Sequence, residues 1–354
     1  MRIAYICELL GTKRQGGESY ATLYLAREMR KRGVDLDLYS VCRDVARALP
    51  ETVRTIPYIR QLTIIPYGAA RIVRKVESKA DIIHFASTTA LAFGQPQIPS
   101  IVTAHAIIAR NIEHLKDKVH KKYAPFLNRF SIFLFKSIEK NSLKRVNHTI
   151  ALNNEMRDYL VLRLGVAPHK ISVIPNGVDT ELFRSSPLTE KNVLFVGRAT
   201  LTKGLDVLIR ASSQIRGKIT IVCNIADRRL LKAGEKRGLR FLQNLTHEQL
   251  SREYAAASVF VAPSISEGQP LSILEAMSSG LPIVATSTSG TDLIRDGKSG
   301  IIVRYGDAAD LAKAVNSLLE NQPLSAQIGQ LNRNIIEREY SWKIIAGRIH
   351  EVYK

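Results

Sequence analysis

Two glutamates stand eight residues apart in Pro263-Ser-Ile-Ser-Glu267-Gly268-Gln269-Pro270-Leu271-Ser-Ile-Leu-Glu275. Proline favours a first helical position and glycine the position just past the end, so Pro270 and Gly280 bracket a predicted helix over 270–279. Glu267 then precedes the helix and Glu275 lies within it. Carboxylates so placed can accept hydrogen bonds from sugar hydroxyls. The free N–H groups of Leu271 to Ile273 would face an anion, so one element could hold a sugar, a ribose and a phosphate. The same spacing also arises from one exposed carboxylate before a helix and another on its surface.

Cations stand in a second loop, Gly197-Arg198-Ala-Thr-Leu-Thr-Lys203-Gly204, between an apolar run at 192–196 and a predicted helix over 205–215. Two positive charges at the carboxyl end of a strand suit a diphosphate, and they equally suit a solvated loop. A third strand–turn–helix pattern carries Gly16-Gly17 after residues 2–7 and before a helix ending near Gly33. Paired glycines allow a backbone to approach a phosphate closely, or form only a tight turn. The G-x-G-x-x-G dinucleotide fingerprint is absent. His105 follows the run at 100–104 and could serve a sugar site or the core, whereas His84 reads as structural.

These loops need sheets to hold them. Short β-branched runs alternate with longer helical patterns, which indicates βα units and parallel sheets. Strands are predicted at 2–7, 81–85, 100–104 and 148–152, and a second series at 192–196, 218–223, 258–262, 282–286 and 300–303. The fold class is therefore α/β, with two doubly wound Rossmann-like domains. Pro175 and Asn176-Gly177 mark a turn between them. The last stretch, 326–354, reads as helix with a break near Ser341-Trp342, and the expected divisions are 1–180, 181–335 and a C-terminal helix, 336–354, packing back on the first domain.

The 354 residues suffice for two or three cores, and no apolar run approaches the ~20 residues of a membrane span. Residues 3–7 are too short for a signal-peptide core, so the expected location is cytoplasmic. Three distant cysteines, Cys7, Cys42 and Cys223, fit neither a disulfide framework nor zinc spacing. The net charge of +19 raises nucleic acid, anionic membrane and phosphorylated ligands as partners. Residues 110–145 hold ten Lys/Arg against three Asp/Glu, with Tyr123, Phe126, Phe130, Phe133 and Phe135 interleaved. A helix over 121–145 with this composition could lie on an anionic leaflet, or face its aromatics inward and its lysines to water.

Together, Gly16-Gly17, Asp81-Ile-Ile-His84, Thr103-Ala-His105, Ile174-Pro-Asn-Gly-Val-Asp179, Gly197-Arg198 with Lys203-Gly204, and the segment from Glu267 through Glu275 resemble the retaining glycosyltransferases of the GT-B fold, family 4 (glycosyl transferases group 1). The resemblance spans nearly the whole chain and implies two domains facing across a cleft. It also implies transfer of a sugar from a nucleotide-diphosphate sugar to a hydroxyl acceptor, which could be a sugar or lipid-linked. No metal or other cofactor is expected.

By the same resemblance His105, Arg198, Lys203 and Glu267 are the expected catalytic residues. Gly16, Gly17, Gly268, Gln269, Pro270, Leu271 and Glu275 join the last three in binding donor, with Arg198 and Lys203 on the diphosphate, Glu267 on the sugar and Glu275 on the ribose. Ala106 stands where an aspartate is common, Cys223-Asn224 where a glycine-rich turn is usual, and Asp292 where glutamate is usual. Three rivals are a nucleotide-sugar epimerase of the same fold, a silent partner subunit and a basic nucleic-acid-binding protein. The last lacks any recognised nucleic-acid motif, so no specific nucleic acid is expected.

Overall fold

In the computed structural model the residues described are 1–7, 17–40, 53–55, 73–74, 76–86, 88, 96–116, 129–186, 191–223, 227–288, 293–294 and 297–354. They form two compact units, one of residues 1–176 with 342–354 and the other of residues 177–341. The divisions fall a few residues from the expected 180/181 and 335/336. The C-terminal segment that joins the first unit begins at Trp342, and residues 336–341 belong to the second.

The first unit contains β1 (Arg2–Cys7), α1 (Gly17–Lys31), β2 (Asp35–Ser40), β3 (Val53–Thr55), β4 (Ile82–Phe85), β5 (Ser100–Ala104), α2 (Ile108–Lys116), α3 (Arg129–Lys144), β6 (His148–Ala151), α4 (Asn154–Leu164) and β7 (Ile171–Val173). Its described strands form one parallel sheet in the order β3-β2-β1-β4-β5-β6-β7. β1, β4 and β5 are apolar and buried nearly throughout because helices cover both faces of a parallel sheet. β2, β3 and β7 were not among the predicted strands. Asp35 and Asp37 break the apolar run of β2, while β3 and β7 are three residues long, below the length at which periodicity registers.

The second unit contains β8 (Asn192–Val196), α5 (Leu205–Ala211), β9 (Lys218–Val222), α6 (Arg228–Glu235), β10 (Arg240–Leu242), α7 (His247–Ala255), β11 (Val259–Ala262), α8 (Leu271–Ser278), β12 (Ile283–Thr286), β13 (Gly300–Val303), α9 (Ala308–Glu320) and α10 (Gln322–Glu339). Its sheet is also parallel, in the order β10-β9-β8-β11-β12-β13. The predicted helix over 205–215 stops at Ala211 and finishes as a 3-10 turn. α11 (Trp342–Tyr353) belongs to the first unit.

α11 is held there by specific contacts. Trp342, Ile345, Ala346, Ile349 and Tyr353 are its buried face, Trp342 stacks on Tyr24 of α1 at 6.1 Å, and Arg32 donates to the Lys343 carbonyl at 2.6 Å. At its far end the Tyr353 hydroxyl meets His84 Nδ1 at 2.5 Å, and His84 Nε2 meets the Thr103 hydroxyl at 2.8 Å. Burial pushes His84 down to about 3, so a neutral imidazole joins α11 to β4 and β5. The structural reading of His84 is what these contacts show.

In the second unit α10 crosses the turn after α8 at a contact that only glycine allows. A Cβ at Gly329 would lie 2.0 Å from the Gly280 carbonyl oxygen. Buried Asn332 then donates to the carbonyls of Leu281 and Ser299. Gly329→Ala is expected to lower stability by roughly 1–3 kcal/mol or more, the cost of overpacking. Gly347→Ala, where a Cβ meets only the end of the Arg32 side chain, should change it little. Urea unfolding of the two variants measures the contrast.

Candidate active site

Each sheet reverses its strand order once, and open parallel sheets bind ligands beyond the carboxyl ends of their strands at such a point. In the second unit the reversal lies between β8 and β11. The loop after β8 carries Arg198 and Lys203, and the loop after β11 carries Glu267 through Pro270. The topology thus brings together cations and carboxylate that lie more than sixty residues apart in sequence.

These loops are laced through their backbones. Gly204 closes a 3-10 turn, Leu201–Lys203, in the left-handed conformation (φ 71°), and a Cβ there would lie 1.9 Å from the Pro263 carbonyl oxygen. The Ile265 N–H donates to the Thr202 carbonyl at 2.9 Å. From the last residue of β12 and just beyond it, the Thr286 and Thr288 hydroxyls both donate to the Ser264 carbonyl, while the Glu267 N–H donates to the Thr288 carbonyl at 3.1 Å. Within this frame Lys203 Nζ forms an ion pair with Glu267 Oε1, with side chains 20% and 13% exposed. The Arg198 side chain is exposed and makes no hydrogen bond or ion pair among the described residues, while its carbonyl accepts from the Thr200 N–H at 2.8 Å.

The helix after this loop differs in detail from expectation. Pro270 is the cap preceding α8 rather than its first residue, and the Ile273 N–H is taken by the Pro270 carbonyl at 3.2 Å. Of the three N–H groups expected to face an anion, that of Ile273 is thus engaged within the turn. Gln269 is buried and Gly268 half-buried, so both lie within the packed loop.

Glu275 is not a surface carboxylate. It is buried, and its Oε2 accepts a hydrogen bond at 2.8 Å from the Tyr254 hydroxyl of α7, which also donates to the Ser272 carbonyl at 3.2 Å. Desolvation pushes the Glu275 carboxyl up to about 7, opposed by the Tyr254 bond, which favours the ionised form. Tyr254 was missed in the sequence because a tyrosine on an amphipathic helix reads as core. The same holds for Thr286 and Thr288, whose partners come from another loop.

In the first unit His105 follows β5 and is half-buried, its N–H donating to the Thr103 carbonyl. Burial pushes its imidazole down to about 4, so it is neutral at physiological pH. With Tyr5, Thr103, Pro175, Asn176 and Trp342 it lines a small pocket. Gly17 is the exposed first residue of α1, and Gly16 lies outside the described residues, as do Asn224 and Asp292.

Comparison with known proteins decides what these loops belong to. Residues 15–182 match the model described as Glycosyltransferase Family 4, and residues 190–321 the model described as Glycosyl transferases group 1. The chain belongs to family 4 of the GT-B glycosyltransferases. It is 26% identical to a D-inositol 3-phosphate glycosyltransferase of Corynebacterium aurimucosum, over all of this chain and 96% of the relative. It is 30% identical to an alpha-maltose-1-phosphate synthase of Mycobacterium tuberculosis, over 61% of this chain and 65% of the relative.

Among solved structures, sucrose-phosphate synthase from Thermosynechococcus elongatus superposes on this glycosyltransferase with a TM-score of 0.85 at 21% identity, covering 99% and 98% of the two chains. Anabaena HepE, solved with UDP-glucose, gives 0.79 at 19% identity, covering 100% and 99%.

The raised Glu275 carboxyl makes the glycosyltransferase's stability depend on pH. Its folded value lies above the ordinary 4.5, so its contribution is complete below about 4.5 and is lost as pH rises through about 7. The loss is on the order of 3 kcal/mol. Glu275→Gln is expected to flatten the stability profile by about that amount between pH 4.5 and 8, measured by urea unfolding across the range.

Proposed function

We propose that this glycosyltransferase is a metal-independent, retaining hexosyltransferase that moves a sugar from a nucleotide-diphosphate sugar to a hydroxyl acceptor in glycolipid, lipid-linked glycan or cell-surface polysaccharide synthesis, acting in the cytoplasm. The observation that carries the reading is the meeting of Lys203 and Glu267 in interlaced loops at the switch point of the second sheet, with Arg198 on the first of those loops. The donor-binding role falls to this second unit and the acceptor-binding role to the first. Solved relatives hold UDP and UDP-glucose, which makes uridine diphosphate the first nucleotide to test.

Chemically, transfer leaves negative charge on the diphosphate oxygen as the bond to the anomeric carbon breaks. Arg198 and Lys203 supply cationic hydrogen-bond donors to that group, the task a divalent metal performs in other enzymes. Glu267 accepts from the sugar hydroxyls. Glu275, held by Tyr254, accepts from the ribose, and its carboxyl titrates near neutrality, so small changes around it shift its charge at working pH. The neutral His105 imidazole can accept or donate a hydrogen bond to the transferred sugar without adding charge, and it is not assigned as a nucleophile.

A further observation favours a lipid-linked acceptor reached from an anionic membrane surface. α3 exposes Phe133 and Leu134, at 70% and 43%, and also exposes Lys140, Lys144 and Arg145 follows at its end. Phe135 is half-buried, Lys136 is paired with Glu113, and 117–128 lie outside the described residues. No described helix is long and apolar enough to cross a membrane.

Two outcomes are expected. Lys203→Ala should lower the rate of sugar transfer about a hundredfold or more, the scale of losing one donor to developing charge. Near-normal transfer by a folded Lys203→Ala protein would remove Lys203 from the site. Co-sedimentation with anionic liposomes at low salt should be lost in the Phe133→Ser, Leu134→Ser double variant. Equal sedimentation of variant and parent would discard membrane docking through α3.

A further inference from the structure

The residues that lead from β5 into α2, His105 to Ile108, include no serine, threonine, aspartate or asparagine. The start of that helix therefore has no side chain of its own to accept from its first N–H groups. A carboxylate from another helix does so instead. Glu139 of α3 is fully buried, and its Oε1 accepts from the Ile108 N–H at 2.8 Å while its Oε2 accepts from the Ala109 N–H at 3.1 Å. Oε1 also accepts at 3.1 Å from the hydroxyl of buried Thr88, which lies 3.5 Å from the Ala106 carbonyl oxygen. The carboxylate stands at the positive end of the α2 dipole.

The body of α2 is anchored separately. Arg110, itself buried, pairs with Glu155 of α4 at 2.5 Å. Glu113 pairs with Lys136 of α3 at 2.5 Å and accepts from the Tyr159 hydroxyl of α4 at 2.9 Å. Loss of the Glu139 bonds would thus free the first turn and the residues just before it while the helix stays docked. Those residues are half-buried His105, exposed Ala106 and buried Ile107. Desolvation, rather than a charged neighbour, is what lowers the His105 imidazole, so Glu139 bears on it through the backbone.

We infer that Glu139 is a positioning residue for sugar transfer: by holding the Ile108 and Ala109 N–H groups it sets where the His105 loop stands, without itself touching the sugar. The inference rests on the reading that His105 meets the transferred sugar.

Glu139→Gln keeps the size and one acceptor oxygen but turns an amide N–H donor toward a peptide N–H. Thr88→Val removes one donor to the same carboxylate. Two measurements are made on the parent, both variants, His105→Ala and the variants that combine His105→Ala with each. Histidine NMR from about pH 5 to 8 follows the imidazole of His105, which in the parent ionises near 4 and stays neutral throughout. In Glu139→Gln it should titrate within that range, moving toward the ordinary 6.5 as the loosened loop admits water. Removing a negative charge would by itself move it the other way, so the direction separates displacement of the loop from a purely electrostatic effect.

The rate of sugar transfer should fall roughly tenfold to a hundredfold in Glu139→Gln, the scale of a misplacement of ~1 Å. That loss should vanish in the His105→Ala background, because residues acting as a unit are not additive. Thr88→Val should show both effects to a lesser degree, and it decides the matter if Glu139→Gln does not fold. An imidazole that stays neutral in the folded variant, or a transfer loss just as large without His105, overturns the inference. A shifted imidazole with near-normal transfer by His105→Ala overturns instead the reading of His105 at the sugar.

Discussion

The backbone contact between Gly204 and Pro263 is the constraint on which the candidate site depends. No side chain fits between them, so the turn bearing Lys203 lies directly on the loop that leads to Glu267. The Ile265 N–H bond to Thr202 and the threonine hydroxyls on Ser264 fix that approach at further points. Charged groups on exposed loops ordinarily lose much of their attraction to side-chain freedom and solvent screening. Here the loops are ordered by main-chain bonds before the charges meet, so that loss is reduced.

A second pair follows a related logic with a different balance. Tyr254 and Glu275 reach each other from two helices, in a buried setting where an unpartnered carboxylate would carry a large desolvation cost. The tyrosine bond offsets part of it, and the remainder appears as a carboxyl that titrates near 7. One carboxylate of the glutamate pair thus meets a cation in a loop, while the other is buried against a tyrosine and pushed up to about 7. Equal spacing in sequence says nothing of this difference, because the environments are made by β11, α7 and the loop after β8.

Much of the fold is legible in the sequence for physical reasons. Central parallel strands such as β1, β5, β8 and β12 are covered on both faces and read as unbroken apolar runs. Three-residue strands carry no such mark, which is why β3, β7 and β10 escape notice, and Asp35 and Asp37 interrupt β2. The motif residues are legible because glycine, proline and charge stand out in loops. What holds them is not: Tyr254, Thr286 and Thr288 act through partners distant in the chain, and only the sheet order brings them close. The boundary turn at Pro175 to Gly177 and the helix break near Ser341-Trp342 are local and readable, whereas which unit each of α10 and α11 joins depends on where it buries its apolar face.

The return of α11 to the first unit has a consequence for the order in which the molecule can be made. The apolar surface that Trp342, Ile345 and Ile349 cover on α1 and its sheet is synthesised early, but its cover emerges only after the 165 residues of the second unit. At ~5–20 residues per second this interval is roughly ten to thirty seconds, far longer than hydrophobic collapse requires. The nascent first unit must therefore spend that time with Tyr24 and the pocket beside His105 uncovered, while the second unit has its whole sequence and can fold around its own core. The late strap completes the older half, and the younger half is finished first.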